Sequence, residues 1–102
     1  METIITKEKD VTTVKLCGRL DTPASTEVAS ELEPLKEDAV AGTVVIDCSE
    51  MTYISSSGLR IFLSLRKEAA NKGGKIIVKS ISNDIRQVFM MTGFLNLFEI
   101  VD

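Results

Sequence analysis

Apolar and polar positions change their spacing several times along the chain, and each change marks an element. From Val11 to Cys17 they alternate, with Val14 and Leu16 on one face and Thr13 and Lys15 on the other. That two-residue period is the mark of a half-buried strand. Thr3 to Thr6 gives a shorter strand before it, and the polar turn Lys7-Glu8-Lys9-Asp10 joins the two as a hairpin. Gly18-Arg19-Leu20-Asp21 leaves the sheet. Thr22 as N-cap and Pro23 at the first helical position then open a helix that runs to about Val40 through Val28, Leu32 and Leu35. Pro34 within it allows a kink or an end near Glu33.

After Gly42, Thr43 to Asp47 is a continuous β-branched run, which predicts a central strand covered on both faces. A polar loop follows. A second helix begins at Ser56 or Ser57 and runs to Asn71, where Gly73-Gly74 ends it. Lys75 to Lys79 predicts another buried strand. Asn83 caps a third helix over residues 84–91, Gly93 stops it, and Leu97 to Val101 forms a last short strand. The order β-β-α-β-α-β-α-β is that of an α/β domain. Its strand-helix alternation implies right-handed crossovers and a mixed, mostly parallel sheet, with an N-terminal hairpin and helices packed on it. With no linker or repeat in 102 residues, one domain spanning residues 1–102 is expected.

Composition narrows the functional classes. Twelve basic against fifteen acidic residues argue against direct nucleic-acid binding, which normally shows a net basic face. Apolar runs of three or four residues fall far short of the roughly 20 that span a bilayer. Met1-Glu2-Thr3 lacks the basic start of a secretory signal. Cys17 and Cys48 each end an apolar run and read as buried free thiols, so a reducing cytoplasm is the expected location. The absence of His excludes Ser-His-Asp and Cys-His catalysis and imidazole metal sites. Two cysteines alone cannot build a structural zinc site. No catalytic residue, metal or cofactor is expected, and the chain does not read as an enzyme.

One stretch carries candidate chemistry, Asp47-Cys48-Ser49-Glu50-Met51-Thr52-Tyr53-Ile54-Ser55-Ser56-Ser57-Gly58-Leu59. It leads from the carboxyl end of a central strand to a helix N-terminus, the edge where open α/β sheets hold ligands and reactive groups. Three serines there place hydroxyls beside unpaired backbone N–H groups and the positive end of the helix dipole. Simple N-capping is the competing reading, although one serine suffices for a cap.

The order and spacing of several pieces resemble the STAS-domain family, the anti-sigma-factor antagonists of bacterial partner-switching systems. Gly18-Arg-Leu-Asp21 is similar to the family's first turn and Val45-Ile46-Asp47 to its central strand. Ile54-Ser-Ser-Ser-Gly-Leu59 is similar to its phosphorylation motif, and Gly73-Gly74 and Thr92-Gly93 fall at its glycine breaks. The resemblance implies that Ser56, second before Gly58, is the phosphorylated residue, with Ser57 as the cap or a supporting hydroxyl. Ser55 stands where many antagonists have Asp. Asp21 matches an acid that in the family lies near the phosphorylation loop, and it reads equally as a helix cap.

The resemblance further implies a protein that binds a kinase-type anti-sigma factor when unmodified, is released by phosphorylation, and is reset by a PP2C-type phosphatase. The free chain is expected to be a monomer. On the second helix, apolar residues cover an arc of about 200° at 100° per residue, wider than one sheet face needs. Ile61 and Leu65 at its margin, with Ile54 and Leu59, are candidate partner contacts, and burial against a neighbouring helix is the alternative. Arg66 points into that arc. Met90 and Met91 read as core rather than as contact residues. Two other functions fit the same fold: a nucleotide-binding STAS module, since helix N-termini hold phosphate without a motif, or an unphosphorylated scaffold or transporter accessory. The chain's end directly after its last strand, without the C-terminal helix of many antagonists, gives the scaffold reading weight. Ser64-Leu65-Arg66-Lys67 matches the Ser-x-x-Lys pattern of acyl-enzymes but lies mid-helix without companion motifs.

Overall fold

A computed structural model describes residues 1–38, 42–71 and 73–102, with side chains for all of these but 34–38. Strands β1 (Glu2–Glu8) and β2 (Val11–Leu20) form the expected antiparallel hairpin. Helix α1 (Thr22–Asp38) leads to β3 (Thr43–Asp47), and β4 (Met51–Ile54) precedes α2 (Ser56–Asn71). Then come β5 (Lys75–Lys79), α3 (Asn83–Thr92), a 3-10 turn (Phe94–Asn96) and β6 (Glu99–Val101). The sheet runs β1-β2-β3-β5-β6, parallel throughout except for the hairpin, and β4 pairs with β2 off this path.

Strand β4 is the element missing from the sequence expectation, which had a polar loop there. Only Met51 and Ile54 of its four residues are buried, so no alternation reveals it. Its partner is the far end of β2: Gly18, Arg19 and Leu20 stay in the sheet and pair with Met51, Tyr53 and Ile54, rather than leaving it. A register shift between Gly18 and Arg19 hands β2 from β3 to β4. Gly18 makes this possible with φ +104, a conformation that L side chains rarely adopt.

Strands β3 and β5 are covered on one face rather than on both. From β2 the chain steps in a single direction, through β3 and β5 to β6. Crossovers of one hand therefore put α1, α2 and α3 on the same side. Val14, Leu16, Val44, Ile46, Ile76 and Val78 point to that side and are buried with Val28, Leu32, Phe62 and Phe89 of the helices. Thr43, Val45, Asp47 and Ile77 on the other face are half-buried, while Lys75 and Lys79 are exposed. All four phenylalanines gather beneath α2 and α3. Phe62 meets Phe89 edge-on at 5.9 Å, and Phe94 and Phe98 lie 5.5 Å apart.

Local details depart from the expectation in instructive ways. Helix α1 continues past Pro34 to Asp38, and the expected reach to Val40 and packing of Leu35 lie outside the described residues. Ser82, not Asn83, caps α3, its Oγ accepting the Ile85 N–H at 3.2 Å. Met90 and Met91 are 62% and 84% exposed, so they are not core; α3 turns Ile85 and Phe89 inward instead. Arg66 is exposed and its Nε donates to the Leu97 carbonyl at 2.8 Å. Cys48 is buried and Cys17 half-buried, both free. No described helix is long and apolar enough to cross a membrane.

Candidate functional site

Two helices begin side by side at the carboxyl ends of β2 and β4. Asp21 directly follows β2 and caps α1, its Oδ1 accepting the Ala24 N–H at 3.0 Å. Thr22 is already helical, so the cap is the acid and not the threonine. The Asp21 carbonyl accepts both the Ser25 N–H at 2.9 Å and the Ser25 hydroxyl at 2.7 Å. Ser55 directly follows β4 and does the same for α2. Its Oγ accepts the Gly58 N–H at 3.1 Å and donates to the Leu20 carbonyl at 2.9 Å, which also takes the Ser55 N–H. A buried Ser55 thus caps α2 and ties it to the strand end beside Asp21.

This divides the three serines. Ser55 does the capping, and Ser57 is not the cap. Serine and aspartate both serve well as N-caps. Ser55 therefore caps α2 as an aspartate at the same position would. Ser56 is the first helical residue, exposed, with no hydrogen-bond partner for its hydroxyl among the described residues. Ser57 is half-buried and turns toward α1. Gly58 keeps the first turn close to the sheet. A Cβ there would lie 2.8 Å from Leu20 Cγ and 3.0 Å from Ile54 Cγ1.

The first three turns of α1 and the start of α2 frame an open groove of about 410 Å³. Thr22, Ser25 and Thr26 line one wall and Ser57, Arg60 and Ile61 the other. Beyond it lies a smaller pocket of about 150 Å³ between Leu32, Ile61 and Leu65. Of the four candidate contact residues, Ile54 and Leu65 are 5% and 6% exposed and belong to the core. Leu59 and Ile61 are half-buried and keep some surface free. Arg60 and the hydroxyl-lined wall of α1 were absent from the sequence reading. The run Thr22-Pro-Ala-Ser-Thr26 was their visible trace. At the sheet end nearby, Arg19 stacks on the half-open Tyr53 ring with Cζ 4.3 Å from its centre. That pairing has no sequence signal, because it depends on the register of β4.

Charge near the end of β3 is settled by the sheet register, which sets Asp47 between Lys15 and Lys79. Burial works to raise the Asp47 carboxyl. The Ser49 N–H at 2.9 Å, the Ser49 hydroxyl, and then Lys79 and Lys15 outweigh it and hold the carboxyl below the usual range. Cys48 next to it is pushed up to about 12 by burial and by the Asp47 charge, so the thiol stays protonated and unreactive. No group of three or more Cys, Asp or Glu that could hold a metal ion occurs among the described residues. What the arrangement offers chemically is an exposed primary hydroxyl at a helix start, without a hydrogen-bonded base of its own.

The sequence and the fold both have counterparts among known proteins. The sequence matches the STAS domain family over residues 2–102. It is 34% identical over 59 residues to a putative anti-sigma factor antagonist, BtrV, of Bordetella bronchiseptica, a match covering 58% of this chain and 51% of that relative. The anti-sigma-B factor antagonist of Bacillus subtilis is 24% identical over 87 residues, covering 85% of this chain and 78% of the relative. A putative anti-sigma factor antagonist from Thermotoga maritima superposes with a TM-score of 0.90 at 15% identity, over 98% of this chain and 86% of that one. Unphosphorylated SpoIIAA, an anti-sigma factor antagonist, gives 0.78 at 18% identity, over 99% and 88%.

Proposed function

The chain belongs to the STAS domain family, and from that premise we propose that it is an anti-sigma-factor antagonist switched by phosphorylation of Ser56. The observation that carries the reading is the division of labour at the start of α2. Ser55 is consumed by the cap, Gly58 by packing, Ser57 is half-buried along the groove wall, and of the three serines Ser56 is the exposed one with an uncommitted hydroxyl. Relatives named as anti-sigma factor antagonists support the partner class.

In this reading a kinase-type anti-sigma factor binds the groove mouth around Ser56, with Leu59 and Ile61 as apolar contacts. Asp21 and Ser55 hold the two helix starts in place. The partner supplies Mg²⁺ and ATP. Ser56 Oγ attacks the γ-phosphorus, a new O–P bond forms, the bond to the ADP oxygen breaks, and a base on the partner takes the hydroxyl proton. The product carries about −1.5 to −2 added charges. The helix N-terminus accommodates these with about 0.3–1 kcal/mol of favourable dipole interaction, so the fold survives. A partner carboxylate about 4 Å away would be repelled by roughly 4 kcal/mol at an effective dielectric near 20. A PP2C-type phosphatase then restores the hydroxyl.

Incubation with the cognate kinase-type anti-sigma factor and Mg-ATP, followed by peptide mass spectrometry, tests the assignment. Phosphate on Ser56 in the wild type and none in Ser56→Ala is the expected result. Phosphate on Ser55 or Ser57 alone, or on none of the three, overturns it.

A further inference from the structure

Arg60 is the only charged residue in the first two turns of α2, and it stands four residues after Ser56. Residues four apart on a helix share one face, with Cβ atoms about 5–6 Å apart. Helical side chains also lean toward the N-terminus, so a long side chain at position 60 can reach the turn that holds Ser56. In the unmodified chain Arg60 borders both the groove beside Ser57 and the smaller pocket by Ser64 and Leu65. Both residues are exposed, and Arg60 shares the groove wall with Ser57.

The other three arginines are committed. Arg19 stacks on Tyr53, Arg66 donates to the Leu97 carbonyl, and Arg86 lies 3.8 Å from Asp102. Among the described residues Arg60 alone of the four has no such partner. The groups facing it from neighbouring elements do not claim it. Asp21 at the start of α1 accepts the Ala24 N–H on its Oδ1. Glu33 lines the same groove but makes no ion pair with Arg60 among the described residues. Arg19 and Tyr53 at the ends of β2 and β4 are occupied with each other.

We infer that Arg60 is the internal counter-charge of a phosphate on Ser56, drawing it back along α2 toward the groove mouth. The inference rests on the proposal that Ser56 is the modified residue and deepens it. In the unmodified chain the guanidinium is free to meet a carboxylate of the partner. In the modified chain it turns to the phosphate, so one event both adds negative charge and withdraws the docking cation. An acid N-terminal to a base at this spacing is the favourable orientation, and a phosphate oxygen pairs well with a guanidinium fork. Arg60 acts through the phosphate and is a positioning residue.

The test uses full-length protein with phosphoserine incorporated at position 56 during synthesis, titrated by ³¹P NMR at low salt. Arg60 favours the dianion, so the dianionic phosphate of the wild type should take up the proton that makes it a monoanion roughly two- to four-fold more weakly than that of Arg60→Ala. Arg60→Lys should fall between them, and high salt should shrink the difference. Identical midpoints in wild type and Arg60→Ala overturn the assignment. Because no kinase is used, that result is distinct from a failure of the cognate kinase to modify Ser56, which would sink the functional proposal and leave this coupling standing.

Discussion

Replacing Ser55 by Ala separates the structural serine from the proposed acceptor. The substitution removes the acceptor for the buried Gly58 N–H and one of the two hydrogen bonds to the Leu20 carbonyl. The carbonyl keeps the Ser55 N–H at 2.9 Å and is not orphaned. Loss of an N-cap costs about 1 kcal/mol, within a range of roughly 0.5–2. The second bond adds about 0.5–1.5 kcal/mol. A total near 2 kcal/mol corresponds to a fall in Tm of roughly 8–16 °C for a domain of this size. Ser56→Ala removes an exposed hydroxyl without a partner and should stay within about 0.5 kcal/mol of wild type. Ser55→Asp should regain the cap but not the donor to Leu20, recovering part of the loss. Urea denaturation with matched slopes measures all three. A Ser55→Ala variant as stable as wild type, or a Ser56→Ala variant as damaged as Ser55→Ala, would refute the division of roles.

Three further outcomes follow from the packing and electrostatics. Gly58→Ala gains about 1 kcal/mol of helix propensity but forces a methyl 2.8 Å from Leu20 Cγ, an overpacking cost of about 1–3 kcal/mol. Its urea midpoint should fall, and a rise would show that α2 shifts freely at its start. Asp47 has a depressed folded-state pKa, so its carboxylate contributes stability that is present above the ordinary value of 3.8 and lost as pH falls through the lower folded value. Wild type should therefore exceed Asp47→Asn in thermal stability near neutrality and lose that margin in acid; a margin that grew on acidification would contradict the sign. In native protein a thiol reagent should label half-buried Cys17 well before Cys48, whose proton is held to about 12, and equal rates would contradict the burial.

The hairpin, the helix starts and the β-branched strands were legible because their hydrophobic period or turn chemistry is local. What escaped the sequence depended on distant partners. Strand β4 exists because Gly18 lets β2 change neighbours, and nothing within Met51–Ile54 announces it. The open sheet face could not be read from Thr43–Asp47, because a β-branched run looks the same whether one face or two are covered. That depends on the single direction in which the strands are laid down. At the site, the serine run was visible but not its division. Which hydroxyl caps is decided by the Leu20 carbonyl, 35 residues away in sequence. Leu65 at the helix margin and Ile54 before it read as partner contacts, but packing beside Leu32 of α1 and pairing with Leu20 of β2 leave them 6% and 5% exposed.

The central claim is that a phosphate on Ser56 dissolves the partner complex while leaving the domain folded. Calorimetric titration of the cognate kinase-type anti-sigma factor with the unmodified chain and with the chain carrying phosphoserine at position 56 tests it directly. A loss of about 3 kcal/mol, close to the expected repulsion, predicts binding weaker on the order of 100-fold, with unchanged circular dichroism. Equal affinities for the two forms, or a phosphorylated chain that no longer folds, would contradict the account.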